Sequence, residues 1–107
     1  MDMQQCIANC VECHRVCLET LSHCLQKGGR HAEAAHIRLL LDCAKICATS
    51  ADFMIRGSTL HGRTCWVCAE VCEACAQDCE QMADDKTMRR CVETCRRCAE
   101  SCRAMAA

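Results

Sequence analysis

The chain has 107 residues, of which 16 are cysteine, and this cysteine content dominates its composition. Thirteen basic residues against fourteen acidic ones give a net charge of −1, which excludes the basic surface of a nucleic-acid-binding protein and a polybasic membrane anchor. With one Trp, one Phe, no Tyr and no Pro, an aromatic-packed core and a turn-rich β-sandwich are excluded as well. The length predicts a single domain over residues 1–107.

The first residues of the chain lack the features of a secretory signal, in which a basic segment precedes an apolar one. No apolar run reaches the roughly 18 residues of a transmembrane helix. We therefore expect a cytoplasmic protein with no membrane partner and no nucleic-acid partner. In the reducing cytoplasm a scaffold of disulfide bonds is disfavoured.

Helical periodicity covers nearly the whole chain and is interrupted at three points. Gly28-Gly29, Gly57-Ser58 and Ala83-Asp84-Asp85 interrupt it, and Gly, Ser and Asp are residues that end one helix or cap the next. The pattern predicts helices near residues 2–27, 31–56, 59–82 and 86–105. Because short loops make successive helices antiparallel, the predicted fold is all-α, an up-down-up-down four-helix bundle with a cysteine-lined core.

The cysteines form one stripe on each predicted helix. Apart from one step of seven before Cys24, their steps are three or four residues, and residues at that spacing share a helix face. Ordinary bundles carry Leu, Ile and Val at these core positions, so sulfur is predicted to fill this interior. The stripes are Cys6, Cys10, Cys13, Cys17 and Cys24; Cys43 and Cys47; Cys65, Cys68, Cys72, Cys75 and Cys79; and Cys91, Cys95, Cys98 and Cys102.

Extending the stripes reaches thioether or imidazole side chains at most helix ends. In an antiparallel bundle these residues gather in two groups. One group is Met3, Met54, His61 and Met105, and the other is Cys24, His36, Met82 and Met88. Such neutral donors can bind a soft metal ion without adding negative charge, so we expect weak, exchangeable sites at the ends.

Residues beside the stripes are predicted to have other surroundings. His14, His23 and His31 lie off the stripes and are expected to face solvent, and Trp66 is expected to pack between helices. A second apolar stripe on the first two helices is wide enough to predict a surface buried against other copies of the chain. This stripe consists of Ile7, Val11, Leu18, Leu21, Leu25, Ile37, Leu41, Ala44, Ala48, Ala51 and Ile55.

Thiols in such stripes could form disulfide bonds or hold zinc or an iron–sulfur cluster. Disulfides within a stripe are disfavoured, because Cβ atoms three or four residues apart are about 5–6 Å apart and a disulfide needs about 3.5–4.5 Å. Structural zinc and iron–sulfur clusters use several thiolates, but they take them from loops rather than from continuous helical stripes. A zinc- or iron–sulfur-binding helical protein remains the alternative.

Cu(I) is the ion that thiolate and thioether ligands select. One monovalent ion for each thiolate neutralises the interior, whereas unneutralised thiolates are too costly to bury. A chaperone or sensor needs one or a few sites, so the pattern favours a store of many Cu(I) ions, on the order of sixteen. No Ser-His-Asp arrangement, paired catalytic carboxylates or phosphate loop is visible in the sequence, and we therefore expect no enzyme activity.

The most specific motifs are Cys65-x2-Cys-x3-Cys-x2-Cys-x3-Cys79, Cys91-x3-Cys-x2-Cys-x3-Cys102 and Cys6-x3-Cys-x2-Cys-x3-Cys17. Through them the whole chain resembles the cytosolic copper storage proteins, cysteine-rich four-helix bundles of bacteria. The resemblance implies a tube of Cu(I)–thiolate clusters, a homotetramer of bundles, and copper exchange at a bundle end bearing His or Met. The second helix departs from a full stripe, with Leu40 and Ser50 at flanking positions. For such a store we expect a copper chaperone or an efflux protein as a partner.

Overall fold

The computed structural model describes residues 2–106, and helices dominate this part of the chain. The α-helices are α1 (Met3–Lys27), α2 (Ala34–Ile55), α3 (His61–Glu80) and α4 (Lys86–Met105), and a 3-10 helix, Gly29–Ala32, joins the first two. Each α-helix packs against two others, and together they form a rod of 42 × 20 × 17 Å. Within residues 2–106, none of the helices combines the length and the apolar character needed to cross a membrane.

Contacts between the helices show an antiparallel register. Residue numbers rise along α1 as they fall along α4, and α2 and α3 are opposed in the same way. The contacting pairs are Cys6–Cys102, Cys17–Cys95 and Cys24–Met88 for α1 and α4, and Cys43–Cys72 and Ser50–Cys65 for α2 and α3. The predicted all-α, up-down-up-down four-helix bundle is therefore confirmed.

Two aspartates cap helix N-termini. Asp2 Oδ1 accepts a hydrogen bond from Gln5 N (2.8 Å) at the start of α1. Asp85 Oδ1 accepts from Thr87 N (2.9 Å) at the start of α4. Each carboxylate thus satisfies an amide that has no partner within its helix.

The helix α2 begins at Ala34, three residues later than the predicted start at residue 31. Gly28 and Gly29 have φ values of 73° and 59°, in the left-handed region that only glycine adopts without strain. They turn the chain into the 3-10 helix Gly29–Ala32 before α2 can begin. The segment after α1 is therefore an ordered turn and does not form the first turn of α2.

The helix α3 is shorter at both ends than the predicted span of 59–82, because it runs from His61 to Glu80. A turn with Gly57 at φ 72° precedes it. Ser58 Oγ accepts a hydrogen bond from Leu60 N (3.1 Å) within this turn, so Ser58 caps the turn rather than the helix.

All sixteen cysteines lie in the interior, each with at most 1% of its surface exposed, and all are free thiols. Leu40 and Ser50 also have no exposed surface, so α2 completes its stripe with one larger and one polar side chain. The centre of the bundle is consequently a column of sulfur where most bundles have hydrocarbon.

Part of the second apolar stripe lies on the surface of α1 and α2. Ala44 and Ala51 are buried between helices. Five larger members of the stripe remain exposed: Val11, Leu18, Leu25, Leu41 and Ile55. We call these five residues the apolar face.

The predicted position of Trp66 between helices is wrong, because 57% of this residue is exposed. Trp66 directly follows the buried Cys65, and one step along an α-helix turns a side chain by about 100°. The indole therefore leaves the core and lies in an open groove with Glu73 and Arg103.

Candidate metal centre

The sulfur atoms of the interior form a continuous column of close contacts. Neighbouring Sγ atoms lie 3.4–4.0 Å apart, from Cys10–Cys102 at 3.4 Å to Cys13–Cys43 at 4.0 Å. Two sulfurs bound to one metal ion at ~2.3 Å are about 3.8 Å apart at a tetrahedral angle. The spacing of the thiols is therefore already that of ligands sharing a metal ion.

The thiols also fall into groups of four, and these groups overlap. Within each group all Sγ atoms lie within 4.8 Å of one another. Cys13, for example, belongs to two groups, and so do Cys47 and Cys95. Five of the groups are Cys10, Cys68, Cys98 and Cys102; Cys13, Cys43, Cys47 and Cys72; Cys13, Cys17, Cys43 and Cys95; Cys17, Cys75, Cys91 and Cys95; and Cys47, Cys68, Cys72 and Cys98.

Shared members have a direct consequence for the type of metal centre. Separate tetrahedral zinc sites would each need four thiolates of their own. A thiol that belongs to two groups bridges two ions when both groups are occupied, as thiolates do in polynuclear Cu(I) centres. Discrete four-thiolate sites could occupy only groups that share no member, whereas a multinuclear cluster uses every group.

The acid–base properties of the thiols follow from their packing. Cys13 and Cys43 raise the pKa of Cys72, and burial raises it further. The pKa of Cys13 is lowered, chiefly by Cys17 and Cys43, whose S–H groups can donate to its thiolate. Burial raises the pKa of Cys24 to about 11, with Cys91 adding to the effect.

No permanent cation balances these sulfurs. Among residues 2–106 the buried polar side chains are those of Asn, Thr, Ser and His, and no Lys or Arg is buried. An ionised thiolate in this interior is therefore costly unless a metal ion neutralises it. A monovalent ion for each thiolate achieves that neutrality.

At one end of the bundle, Cys24 lies close to two of the residues that the sequence analysis grouped with it, His36 and Met88. Cys24 Sγ lies 3.3 Å from His36 Nε2 and 3.6 Å from Met88 Sδ. Met82 is buried in the same core, and its backbone N–H donates to Cys79 O (3.0 Å). On the far side of the ring, His36 Nδ1 donates to Asp78 Oδ2 (2.5 Å).

The opposite end is built around Cys65, whose Sγ lies 3.2 Å from Ser50 Oγ. Cys102 and Cys6 are the main causes that lower the pKa of Cys65, and His61 contributes in the same direction. His61 Nδ1 is buried and has no hydrogen-bond partner among the described residues, so it is free to accept a ligand. Met54 is buried in the core on α2, and Met3 and Met105 are half-buried and pack against the core.

The prediction that His31 faces solvent is wrong. His31 is buried, and its Nδ1 lies 3.7 Å from Cys24 Sγ. A stripe extended at helical spacing cannot find this residue, because His31 lies in the 3-10 helix and the Gly28-Gly29 turn brings it back toward α1. The sequence signal that could have indicated it is a histidine two residues after the double glycine that follows the last cysteine of the α1 stripe.

The other two off-stripe histidines are half-buried, each with a hydrogen bond, rather than fully facing solvent. His14 Nδ1 donates to Ala44 O (2.8 Å), and His23 Nε2 donates to Asp85 Oδ2 (2.8 Å). The His23 ring also packs edge-on against His31, with ring centroids 5.9 Å apart.

Comparisons with known proteins agree with this geometry. The family model described as "Copper storage protein" matches residues 1–107. In solved structures, the fold is similar to that of the Nmul_A1745 protein from Nitrosospira multiformis, with a TM-score of 0.92 and 51% identity over 97% of this chain and 94% of that one. It is also similar to the Cu(I)-bound copper storage protein BsCsp3, with a TM-score of 0.90 and 36% identity over 97% of each chain.

A curated relative matches over a shorter stretch. An uncharacterized cysteine-rich protein of Bacillus subtilis (strain 168), YhjQ, is 36% identical over 68 residues, which make up 64% of this chain. The matched stretch spans 63% of that relative's length. The apo form of copper storage protein 3 from Bacillus subtilis is similar in structure over 99% of this chain, with 35% identity and a TM-score of 0.89.

Proposed function

This chain belongs to the copper storage protein family, and we propose that it stores many Cu(I) ions on the sixteen cysteine thiolates of its interior. The observation that carries this proposal is the overlap of the four-thiol groups, since shared thiols bridge ions instead of isolating them. Soft, monovalent Cu(I) fits both the donor set and the lack of buried cations. The protein acts by holding and releasing ions, without catalytic turnover.

Stoichiometry tests the proposal. Reduced metal-free protein is titrated anaerobically with Cu(I), separated from excess ion, and analysed for metal and for protein. We expect roughly one Cu(I) for each thiolate, on the order of sixteen ions. Saturation at about four ions would indicate discrete four-thiolate sites and would contradict the proposal.

Zinc and iron–sulfur clusters are the competing cargoes. An iron–sulfur protein is brown, whereas Cu(I)–thiolate centres have no visible absorption, so the colour of the purified protein separates these two. Zinc is separated by competition: a store built on bridging thiolates keeps its Cu(I) in excess zinc, because soft thiolates prefer Cu(I).

The two bundle ends are the sites of copper exchange in this proposal. The interior offers thiolates that are enclosed by other thiolates, and the ends offer neutral donors that release Cu(I) more easily. The proposed end donors are His36, Met82 and Met88 at one end, and Met54, His61 and Met105 at the other.

The apolar face supports assembly into a homo-oligomer, and we propose a tetramer. Leu18 and Leu25 are 41% and 56% exposed and lie seven residues apart on α1, and Leu41 of α2 is 46% exposed. Exposed apolar residues repeated along one side of a helix are typical of a protein–protein interface. Sedimentation of the metal-free protein measures the oligomeric state directly.

The proposal places the store in the cytoplasm, where a copper chaperone or an efflux protein exchanges ions with it. Free thiols at all sixteen positions suit a reducing compartment. Cell fractionation with an antibody against the chain tests the location, and anaerobic transfer from a Cu(I)-loaded chaperone tests the exchange.

A further inference from the structure

Cys24 differs from the other cysteines in what surrounds its sulfur. Its close neighbours are two imidazole nitrogens and a thioether, not other thiols. The sulfur column ends nearby with the contact between Cys79 and Cys91 (3.9 Å), and the fully buried Leu40 occupies the α2 stripe position between His36 and Cys43. Cys24 is therefore a single thiol beyond the end of the column.

The distances around Cys24 Sγ match those of ligands on one metal ion. His36 Nε2 lies at 3.3 Å, Met88 Sδ at 3.6 Å and His31 Nδ1 at 3.7 Å. Ligand bonds of ~2.3 Å to sulfur and ~2.0 Å to nitrogen place such donors about 3.6–3.8 Å apart. Each of the three neighbours thus lies at about the distance from Cys24 Sγ that a shared metal ion would require.

A carboxylate holds the His36 imidazole in place, and a histidine packs against the His31 imidazole. Asp78 Oδ2 accepts the Nδ1–H of His36, which leaves the Nε2 lone pair directed toward Cys24. His23, held by Asp85, packs edge-on against the His31 ring. Carboxylate partners of this kind fix the tautomer and orientation of metal-binding histidines.

The donor set has a distinct preference among copper oxidation states. A column of bridging thiolates favours Cu(I), but two imidazoles and one thiolate with a weak thioether form the ligand set that holds both Cu(II) and Cu(I) in blue-copper proteins. His31 is essential to this set, because without it only one imidazole remains within 4.0 Å of Cys24 Sγ.

We propose that Cys24, His31, His36 and Met88 form a mononuclear copper site at this end of the bundle, and that this site binds Cu(II) as well as Cu(I). The inference rests on the proposed storage function. In this arrangement the redox-active copper is the ion at the end of the store. Oxidation of that ion removes one electron from Cu(I) and breaks no bond to a ligand.

The test starts from the full chain loaded anaerobically with Cu(I) and freed of excess ion. One equivalent of hexacyanoferrate(III) per chain is added; it takes one electron from Cu(I) and becomes hexacyanoferrate(II). We expect an EPR signal that integrates to about one Cu(II) ion per chain, together with a visible thiolate-to-Cu(II) absorption. Ascorbate should return the electron and abolish both. Absence of the EPR signal, or loss of thiols to disulfide instead, overturns the proposal.

Two matched histidine variants locate the site. His31→Gln removes one imidazole donor and should reduce the visible absorption at least tenfold. His14→Gln changes a half-buried histidine that is bonded to Ala44 O and should match the wild type. An unchanged absorption in His31→Gln overturns the assignment.

A further variant decides the case in which His31→Gln disturbs the fold. If His31→Gln loses more than one copper ion relative to the wild type, Cys24→Ser is used in its place to decide the question. Loss of the visible absorption in Cys24→Ser with the remaining copper retained supports the site, and persistence of the absorption overturns it.

Total copper in the same samples tests the storage function separately. A wild type that holds about four ions contradicts the store whatever its EPR signal. A wild type that holds roughly sixteen ions but gives no reversible signal contradicts only the mononuclear site.

Discussion

Cys47 of α2 and Cys72 of α3 face each other with their sulfurs 3.5 Å apart, and both belong to the same two four-thiol groups. Cys47 also contacts Cys68 at 3.7 Å and Cys98 at 3.8 Å. The helix with the fewest cysteines therefore supplies one of the most connected thiols in the column. Although α2 has only two cysteines, their central position gives them many contacts with other thiols.

This connectivity predicts unequal effects of cysteine substitution. Cys47→Ala should remove two or more tightly held Cu(I) ions, because Cys47 contacts three other thiols. The control Cys79→Ala should remove about one, because the one contact of its sulfur within 4.0 Å is that with Cys91. Metal analysis after competition with a Cu(I) chelator measures both. Equal losses would show that the thiols bind independently.

The ends of the bundle are expected to control the rate of exchange and not the capacity. A triple variant with His36→Gln, Met82→Leu and Met88→Leu, or one with Met54→Leu, His61→Gln and Met105→Leu, replaces each donor by a side chain of similar size. We expect at least one of them to load or release Cu(I) more slowly, as followed by stopped-flow transfer to a chelator. If both exchange at the wild-type rate, the end residues are ordinary packing. A collapse in capacity would show that they are structural.

The apolar face is expected to bury against other copies of the chain. Leu18→Glu with Leu25→Glu places two charges in that contact, which costs several kcal/mol when charges lose water, so the oligomer should dissociate at least tenfold more readily. Analytical ultracentrifugation measures the effect, and circular dichroism verifies the fold. Arg97→Glu on the exposed side of α4 should leave the assembly intact. Dissociation by the control alone would place the interface elsewhere.

Alkaline pH should destabilise the reduced metal-free protein. The pKa of Cys24 is about 11 in the folded chain against 9.0 for an unperturbed thiol, so between these values the folded state keeps a proton that the unfolded state has lost. The stabilisation is thus complete below pH 9 and is lost as pH rises toward 11, with a slope of up to about 1.4 kcal/mol per pH unit.

Anaerobic urea unfolding between pH 7.5 and 10.5 measures this dependence. Cys24→Ser should reduce the slope, and Cu(I)-loaded protein should show little of it, because bound ions have already replaced the protons. A stability that rises over this range would contradict the assigned direction of the pKa shift.

The sequence predicts the core better than it predicts the helix ends. Steps of three and four residues place every cysteine on an inner face, because α-helical geometry alone determines which residues share a side. The turn after α1 depends on the left-handed backbone at Gly28 and Gly29, and no periodicity describes where such a turn leads. For this reason the start of α2 and the position of His31 both required the structure.

Trp66 shows a second limit of the sequence pattern. A large apolar side chain suggests burial, but its place one residue after Cys65 directs it away from the core that the cysteines already fill. The order of residues on the helix decided its position, and hydrophobicity did not.

The unbroken contacts from Cys6 to Cys79 have a further consequence for the stored ions. At spacings of 3.4–4.0 Å, an ion can exchange one sulfur for the next while keeping its remaining ligands, so it can migrate along the bundle without passing through water. The order in which ions arrive then does not fix where they reside. If one copper isotope is loaded first and a second isotope last, the ions released from the protein should be a mixture of the two. Isolated sites would instead release them in separate fractions.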